Sequence, residues 1–392
     1  MNQNFSSQQL LKLCKQHELE DYGFEKEELE TLINENFDKI TNNSFSFELK
    51  KVGNYFLVED LPQKLILRKL NDNLKRLYKD EQANRRTIIK QIKTLLEENG
   101  PMYILKTDIE KFYESIDRNR LLSKLKNDSM LSFHSLQLLD KLFKNDKLVA
   151  NNGVPRGLNI SATLSEIYMR KFDRWIRRSQ GVYFYARFVD DIVVFSNNEN
   201  VINELNQNIN KKLEQGLRKK VLKTAIFKGE NIRDSKPLEY LGYKFTTETF
   251  KRDKTLKISI ADKKVKKIKS RMTRAFLDFM KTNNFELLEK RIKFLTGNYS
   301  VKRNTDGKDL KAGIYYNYSY LNDLSVLDDL NLYYRKVLYS RNGKFGAKLN
   351  SKLDNAQKEI LANYSFKHGY SKKVYNSFSP EQMIEIKNCW YE

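Results

Sequence analysis

Tyr185-Ala-Arg-Phe-Val-Asp-Asp-Ile-Val-Val-Phe195 sets two adjacent carboxylates, Asp190 and Asp191, between two runs rich in aromatic and β-branched residues. Such runs favour strands, and acids between them mark a tight turn, so the stretch reads as strand, turn, strand. Side chains alternate along a strand, which would send the two carboxylates in different directions. Burying them without cations is costly, and a metal ion held by at least one of them relieves that cost. An Asp-Asp pair also suits a solvated surface turn. This stretch alone leaves both readings open.

Upstream, Tyr103-Ile-Leu-Lys-Thr-Asp108-Ile-Glu-Lys-Phe-Tyr-Glu-Ser-Ile-Asp117 is a second apolar strand that ends on an acid and runs into a helix-like segment. Between the two lies Gly153-Val-Pro-Arg-Gly-Leu-Asn-Ile-Ser-Ala-Thr-Leu-Ser-Glu-Ile-Tyr-Met169, a Pro/Gly loop opening a helix. The ordered set resembles the palm of reverse transcriptases. Asp108 matches the first catalytic aspartate, Pro155-Arg-Gly157 the Pro-Gln-Gly loop and Phe188-Val-Asp-Asp191 the aromatic-x-Asp-Asp box. The likeness covers about residues 60–300. It departs from the family pattern at Arg156, where glutamine is usual.

The resemblance implies an α+β right-hand polymerase with fingers, an antiparallel palm sheet with helices, a helical thumb and a helical C-terminal extension. It implies domains at 1–60 (N-terminal helical segment), 61–250 (fingers and palm, the fingers about 61–102 and 121–152), 251–300 (basic thumb) and 301–392 (C-terminal extension). It further implies two-metal phosphoryl transfer. Asp108, Asp190 and Asp191, with the backbone carbonyl of Ile109, would hold two Mg2+ ions, or Mn2+ in their place. Tyr113 stands where the family carries an aromatic under the sugar of an incoming dNTP, a ring that leaves no room for a 2′-hydroxyl; a core tyrosine is the alternative. Val221-Leu-Lys223-Thr224 resembles the next motif, so Lys223 would stabilise or protonate the leaving pyrophosphate, unless it is a plain surface lysine. Leu238-Glu-Tyr-Leu-Gly242-Tyr-Lys-Phe245 resembles the hairpin that grips the primer.

Charge points the same way. The chain of 392 residues carries 72 Lys and Arg against 50 Asp and Glu, a net of +22, which calls for a polyanionic partner such as nucleic acid. Residues 251–300 hold 15 of those cations and 5 of the acids. No run of about 18 apolar residues suits a spanning helix, and the first residues lack a basic-then-apolar signal. Two cysteines, Cys14 and Cys389, form no disulfide framework. A cytoplasmic protein without a membrane partner is expected. The three histidines are scattered, and no Cys/His spacing suggests zinc.

Along the chain, residues 1–50 read as polar helices with no evident chemistry. Helices are expected from Leu61 to Tyr78 and from Asn84 to Leu96, with Asn99-Gly100-Pro101 as a break. Arg68, Arg85, Arg86 and Lys90 on them suit template backbone or a triphosphate, or a solvated face. Gly157 lets backbone approach a ligand, Arg156 adds a cation beside the primer-template, and Ser161, Ala162, Thr163 and Ser165 leave space for a base pair. Glu110 and Asp117 fit a solvated helix start. Apolar spacing from Ile258 to Phe279 reads as one amphipathic basic thumb helix, Asn298–Gly307 as a loop, and Ser379 as the cap of a final helix. Tyr315, Tyr316, Tyr318 and Tyr320 suit core packing, base stacking or a priming hydroxyl.

The expected activity is RNA-directed DNA synthesis. The phrasing of the Val154–Met169 and Lys106–Ile116 segments is similar to bacterial defence-associated (abortive-infection, antiphage) members of the family. That resemblance implies a noncoding RNA, a second protein subunit or a homo-oligomer as partner. Template-independent or protein-primed DNA synthesis, RNA synthesis, and an RNA-binding subunit with a silent palm are the competing readings.

Overall fold

The computed structural model describes residues 2–79, 83–98, 100–148, 153–250, 253–301 and 310–390. Asn99, the end of the 121–152 segment and most of the expected 298–307 loop lie outside these. The chain divides into two compact units, residues 1–88 with 100–228, and residues 89–99 with 229–392.

In the first unit, α1 (Leu61–Tyr78) starts on Asp60, whose carboxylate accepts from the Gln63 N–H, with Pro62 in the first turn. Leu65, Ile66, Leu70 and Leu74 form its buried stripe. It packs on α2 (Asn159–Arg178). The sheet comprises β1 (Tyr103–Asp108), β2 (Val182–Phe188), β3 (Asp191–Ser196) and β4 (Ala225–Lys228), in the order β2-β3-β1-β4, every pair antiparallel. Helix α3 (Glu199–Lys212) touches α2, and both pack on the sheet. Ile192 to Ser196 are all buried, so the continuous apolar run of β3 is a central strand covered on both faces.

The N-terminal helices, Ser7–Leu11, Gln16–Tyr22 and Lys26–Thr41, contribute Leu10, Leu29 and Ile33, and the segment before them Phe5, to the same core as Leu65 and Leu164. The sequence reading stopped short of the next element. Lys50–Val52 and Tyr55–Leu57 form a short hairpin, and three-residue strands carry too little periodicity to be read.

In the second unit, β5 (Leu238–Tyr240), β6 (Tyr243–Phe250) and β7 (Asp253–Ile260) form an antiparallel sheet. Leu241 and Gly242 turn the first hairpin, both with positive φ, as a two-residue turn requires. The expected thumb helix is shorter than its apolar spacing suggested. Ile258 and Ile260 belong to β7, where Leu256, Ile258 and Ile260 are buried in strict alternation, and α4 (Asp262–Thr282) begins after them. Met272, Phe276 and Phe279 face its core. On its other side Lys263, Lys264, Lys266 and Lys267 are exposed. The charge of Arg271, then partial burial, then Lys264 and Lys263 pull the Lys267 ammonium below the usual lysine range.

Helix α5 (Phe285–Thr296) leads into a second correction: Asn298 to Val301 is not loop but β8, paired with β9 (Leu310–Gly313). The fully buried Asn298 accounts for it. Its amide donates to the carbonyls of Gly369 and Val374, and its carbonyl accepts from the Tyr315 N–H, so the chain is held straight there. Tyr318 is buried and Tyr315 and Tyr316 half-buried among other rings, and Tyr320 is half-buried. Ser379 caps the last helix as expected, accepting from Gln382. No helix among the described residues is long and apolar enough to cross a membrane.

Candidate active site

Asp108 is the last residue of β1 and pairs in register with Asp191, the first residue of β3. Val189 and Asp190 form the turn between β2 and β3. Here the expectation from alternation fails. Asp190 sits in the turn rather than in the pleat, and Asp108, Asp190 and Asp191 each bring a carboxylate oxygen within 4.8 Å of the others. Val189 makes this possible with a φ of 60°, a costly conformation for a β-branched residue.

Arg187 holds that turn. Its guanidinium is almost wholly buried and donates to the Val189 carbonyl at 3.0 Å, to Glu166 at 2.5 and 3.0 Å, and to Asp173 at 2.7 and 2.9 Å. The Tyr185 hydroxyl donates to Asp173 as well, at 2.5 Å. The sequence assigns Arg187 no role, because a cation inside an apolar strand declares its purpose only through its partners.

Burial, reinforced by the Asp108 charge, holds the Asp190 carboxyl above the usual range. Burial and then the Asp190 charge push Asp191 up to about 6. Two half-buried acids that resist ionising, beside the buried Asp108, make a site short of positive charge. Lys223 supplies part of it. It closes a 3₁₀ turn (Val221–Lys223) ahead of β4, and its ammonium lies 2.5 Å from Oδ2 of Asp108. Burial pulls Lys223 down, but the bond to Asp108 and the charges of Asp108, Asp191 and Asp190 outweigh it and hold the ammonium above its ordinary range. The turn is tied down by a 2.7 Å contact between the hydroxyls of Thr107 and Thr224 and by the Lys220 N–H, which donates to the Asp108 carbonyl. Ile109, buried, is flanked by that bond and by the Glu110 N–H donating to Arg218.

A second cluster forms where the loop before α2 meets the helical turn Phe112–Ser115. Val154 N–H donates to the Tyr113 carbonyl at 2.8 Å, and a Cβ on Gly153 would lie 2.2 Å from that oxygen. Arg156 meets Glu114 at two points, 2.5 and 3.0 Å, and its guanidinium lies 5.7 Å from the centre of the Tyr113 ring. Gly157 has a φ of 100° and a Cβ there would strike the Phe56 carbonyl, while Phe56 N–H donates to Arg156. Hairpin, loop and turn enclose a cleft of about 400 Å³ lined by Lys51, Lys111, Glu114 and Arg156. Glu114 and the hairpin were not foreseen.

The other candidates lie in different surroundings. Arg68 is committed to Glu18, at 2.6 and 2.9 Å, and to the Leu13 carbonyl. Arg86 is exposed in the first turn of the helix Arg85–Glu97, and Lys90 is exposed further along it. Asp117 caps the helix Arg118–Asn127. Ser161, Thr163 and Ser165 are buried in packing, with Ser161 bonded to the Pro155 carbonyl, so of the four small residues only Ala162 is partly open.

Residues 61–245 match the profile of the family described as Reverse transcriptase (RNA-dependent DNA polymerase). This segment is a reverse transcriptase domain. Its fold is α+β. The match begins at α1 and ends inside β6, so the sheet, the loop before α2 and the three carboxylates all lie within the reverse transcriptase domain.

No curated protein matches the chain. Among solved structures it is similar to apo telomerase from Candida tropicalis truncated from its C-terminal domain, at 16% identity and a TM-score of 0.35, covering 51% of this chain and 45% of that one. It is also similar to telomerase from Candida albicans with the TWJ fragment of telomeric RNA, at 14% identity and 0.37, covering 83% and 53%. The complex of Candida tropicalis telomerase with the same type of fragment gives 13% and 0.38, covering 94% and 68%. The chain spans about half the length of the first of these telomerase chains. The family assignment rests on the sequence match alone.

Proposed function

We propose that this protein is an RNA-directed DNA polymerase that extends a primer with dNTPs. One observation carries the reading: Asp108, Asp190 and Asp191 converge within 4.8 Å at the end of the sheet, with Lys223 on Asp108. An all-oxygen, hard donor set of this charge suits Mg2+, with Mn2+ able to replace it. Bound there by the three carboxylates and the Ile109 carbonyl, two such ions would supply Lewis-acid activation of a 3′-hydroxyl and neutralise the charge of a triphosphate.

The remaining roles fall to the chain itself. Lys223, kept protonated by its acidic neighbours, is placed to give a proton to the departing pyrophosphate. Tyr113, fixed by Val154 and Gly153, selects sugars without a 2′-hydroxyl. Gly157 and Arg156 shape the floor on which a template lies, and Arg86 meets phosphates from an exposed helix start. Arg68 is left to the fold, since Glu18 already claims it. We read residues 61–102 and 121–152 as fingers and α4, with its crowded lysines, as the thumb surface for a duplex.

The defence-associated phrasing of the motifs supports a role in antiphage defence with a noncoding RNA, in the cytoplasm of a bacterium. A second subunit or self-association belongs to the same proposal. The test is incorporation of labelled dNTPs, one at a time, by the purified protein with its co-purifying RNA, beside Asp190→Asn. Mg2+-dependent DNA that disappears in the variant is the expected result. Homopolymer made without template would favour terminal transfer, NTP use would favour RNA synthesis, and tight RNA binding without product would favour the silent palm.

A further inference from the structure

Between Arg170 and Arg178, α2 carries four exposed guanidinium groups, Arg170, Arg174, Arg177 and Arg178, on one face at i, i+4, i+7 and i+8. With Tyr78, Lys79 and the two acids Glu166 and Asp173 they line a concavity of about 460 Å³ within the first unit, where cations outnumber acids. Two are oriented by rings: Arg170 lies 5.8 Å from the centre of Tyr78, and Arg177 5.4 Å from that of Tyr185.

A merely solvated helix face would neutralise these cations with acids one turn away. The acids are present. Glu166 stands four residues before Arg170, and Asp173 four before Arg177. Neither is available, because the buried Arg187 draws both inward and Tyr185 takes a further bond from Asp173. Among the described residues none of the four arginines is ion-paired to a carboxylate. The helix dipole accounts only for Arg177 and Arg178 in the last turn, since its effect fades within one turn. Tyr185, under Arg177, lies three residues before the end of β2 at Phe188, about 10 Å of strand at roughly 3.3 Å per residue, so the face is displaced from the carboxylates.

We propose that this arginine face is a second nucleic-acid site, one that grips the phosphate backbone of a strand outside the polymerising centre. It rests on the proposed function only in taking nucleic acid as the polyanion. Planar guanidiniums in a concavity beside a tyrosine suit phosphate oxygens and an unstacked base better than a flat lipid surface.

The test uses the full chain with R170Q/R174Q/R177Q/R178Q, and as control K12Q/K26Q/K344Q/K348Q, which removes the same charge from exposed lysines elsewhere. Binding of labelled single-stranded RNA, single-stranded DNA and duplex RNA is titrated across KCl concentration. The arginine variant should bind at least one of them about tenfold or more weakly, with a log–log salt slope shallower by about three. The lysine control should shift the slope by less than one, and the tetra-lysine version of the face should restore it. The best-bound probe identifies the ligand as RNA or DNA, single or paired. R174Q alone, with about one unit of slope, serves if the quadruple variant loses its fold by circular dichroism. Equal slopes for variant and control overturn the proposal, as does a loss of binding confined to anionic phosphatidylserine vesicles. Failure of the polymerase reading would show separately, as absent dNTP incorporation by the wild type while the slope difference persists.

Discussion

The ammonium of Lys223 lies 2.5 Å from Oδ2 of Asp108, although a whole helical layer of sequence separates them. The 3₁₀ turn and the Thr107–Thr224 contact make that approach a property of the fold rather than of a flexible side chain. Lys223→Met should therefore lower single-turnover dNTP incorporation by about 10²–10⁴-fold, the usual worth of a placed general acid, while primer-template affinity stays within a few-fold. An unchanged rate would reduce Lys223 to a counter-charge.

Asp191 offers a pH test whose sign is definite. Its carboxyl is pushed up to about 6 from an ordinary 3.8, so the folded metal-free protein holds this proton more tightly than the unfolded chain. As pH rises from about 4 to about 6 the group therefore removes stability, and above 6 the loss is constant. At about 1.4 kcal/mol per pH unit the ceiling is about 3 kcal/mol. Asp191→Asn should raise the thermal midpoint in EDTA at pH 7.5 and leave it nearly unchanged at pH 4. Added Mg2+ should stabilise the wild type and close that gap. A variant no more stable than wild type in EDTA at pH 7.5 would count against this account.

Arg187 joins three acceptors, Glu166, Asp173 and the Val189 carbonyl, beneath the Val189 turn. Arg187→Gln strands Glu166 and Asp173, and breaking a buried pair in this way costs about 3–5 kcal/mol. The chain has two tryptophans, Trp175 in the first unit and Trp390 in the second. In a Trp390→Phe background, urea unfolding followed by Trp175 fluorescence reads the first unit alone. A loss below about 1 kcal/mol would mean that the network contributes little.

Gly153→Ala would place a methyl 2.2 Å from the Tyr113 carbonyl, closer than any real contact, so backbone must move. The expected result is a loss of roughly 1–3 kcal/mol together with a fall of about tenfold in the preference for dNTPs over NTPs, because Tyr113 is displaced. Preserved sugar discrimination in a folded Gly153→Ala protein would detach Tyr113 from that role.

Much of the centre is legible in the sequence. Asp108, Asp190 and Asp191 stand at strand ends because β-branched runs stop at acids, and that pattern is local. What could not be read was direction. Alternation predicted divergent carboxylates, and only the left-handed Val189 makes them converge. Ile258 and Ile260, two apart, carry the period of a strand, but the helically spaced apolar residues that follow drew them into one helix, and cross-strand pairing decided for β7. Arg156 was read as a spare cation, yet Glu114, an unremarked acid of a four-residue helix, takes it. Arg68 likewise found Glu18, fifty positions away. Long-range ion pairs leave no periodic trace, so the residues that support the site stay hidden while those that form it are visible.

The Arg187 network has a practical corollary for genetics. One buried guanidinium both braces the aspartate turn and withholds two acids from the outer face of α2. Alleles at Arg187, Glu166 or Asp173 should therefore be pleiotropic, mixing defects in turnover with defects in strand capture. Separation-of-function alleles are to be sought at Arg174 on one side and Lys223 on the other.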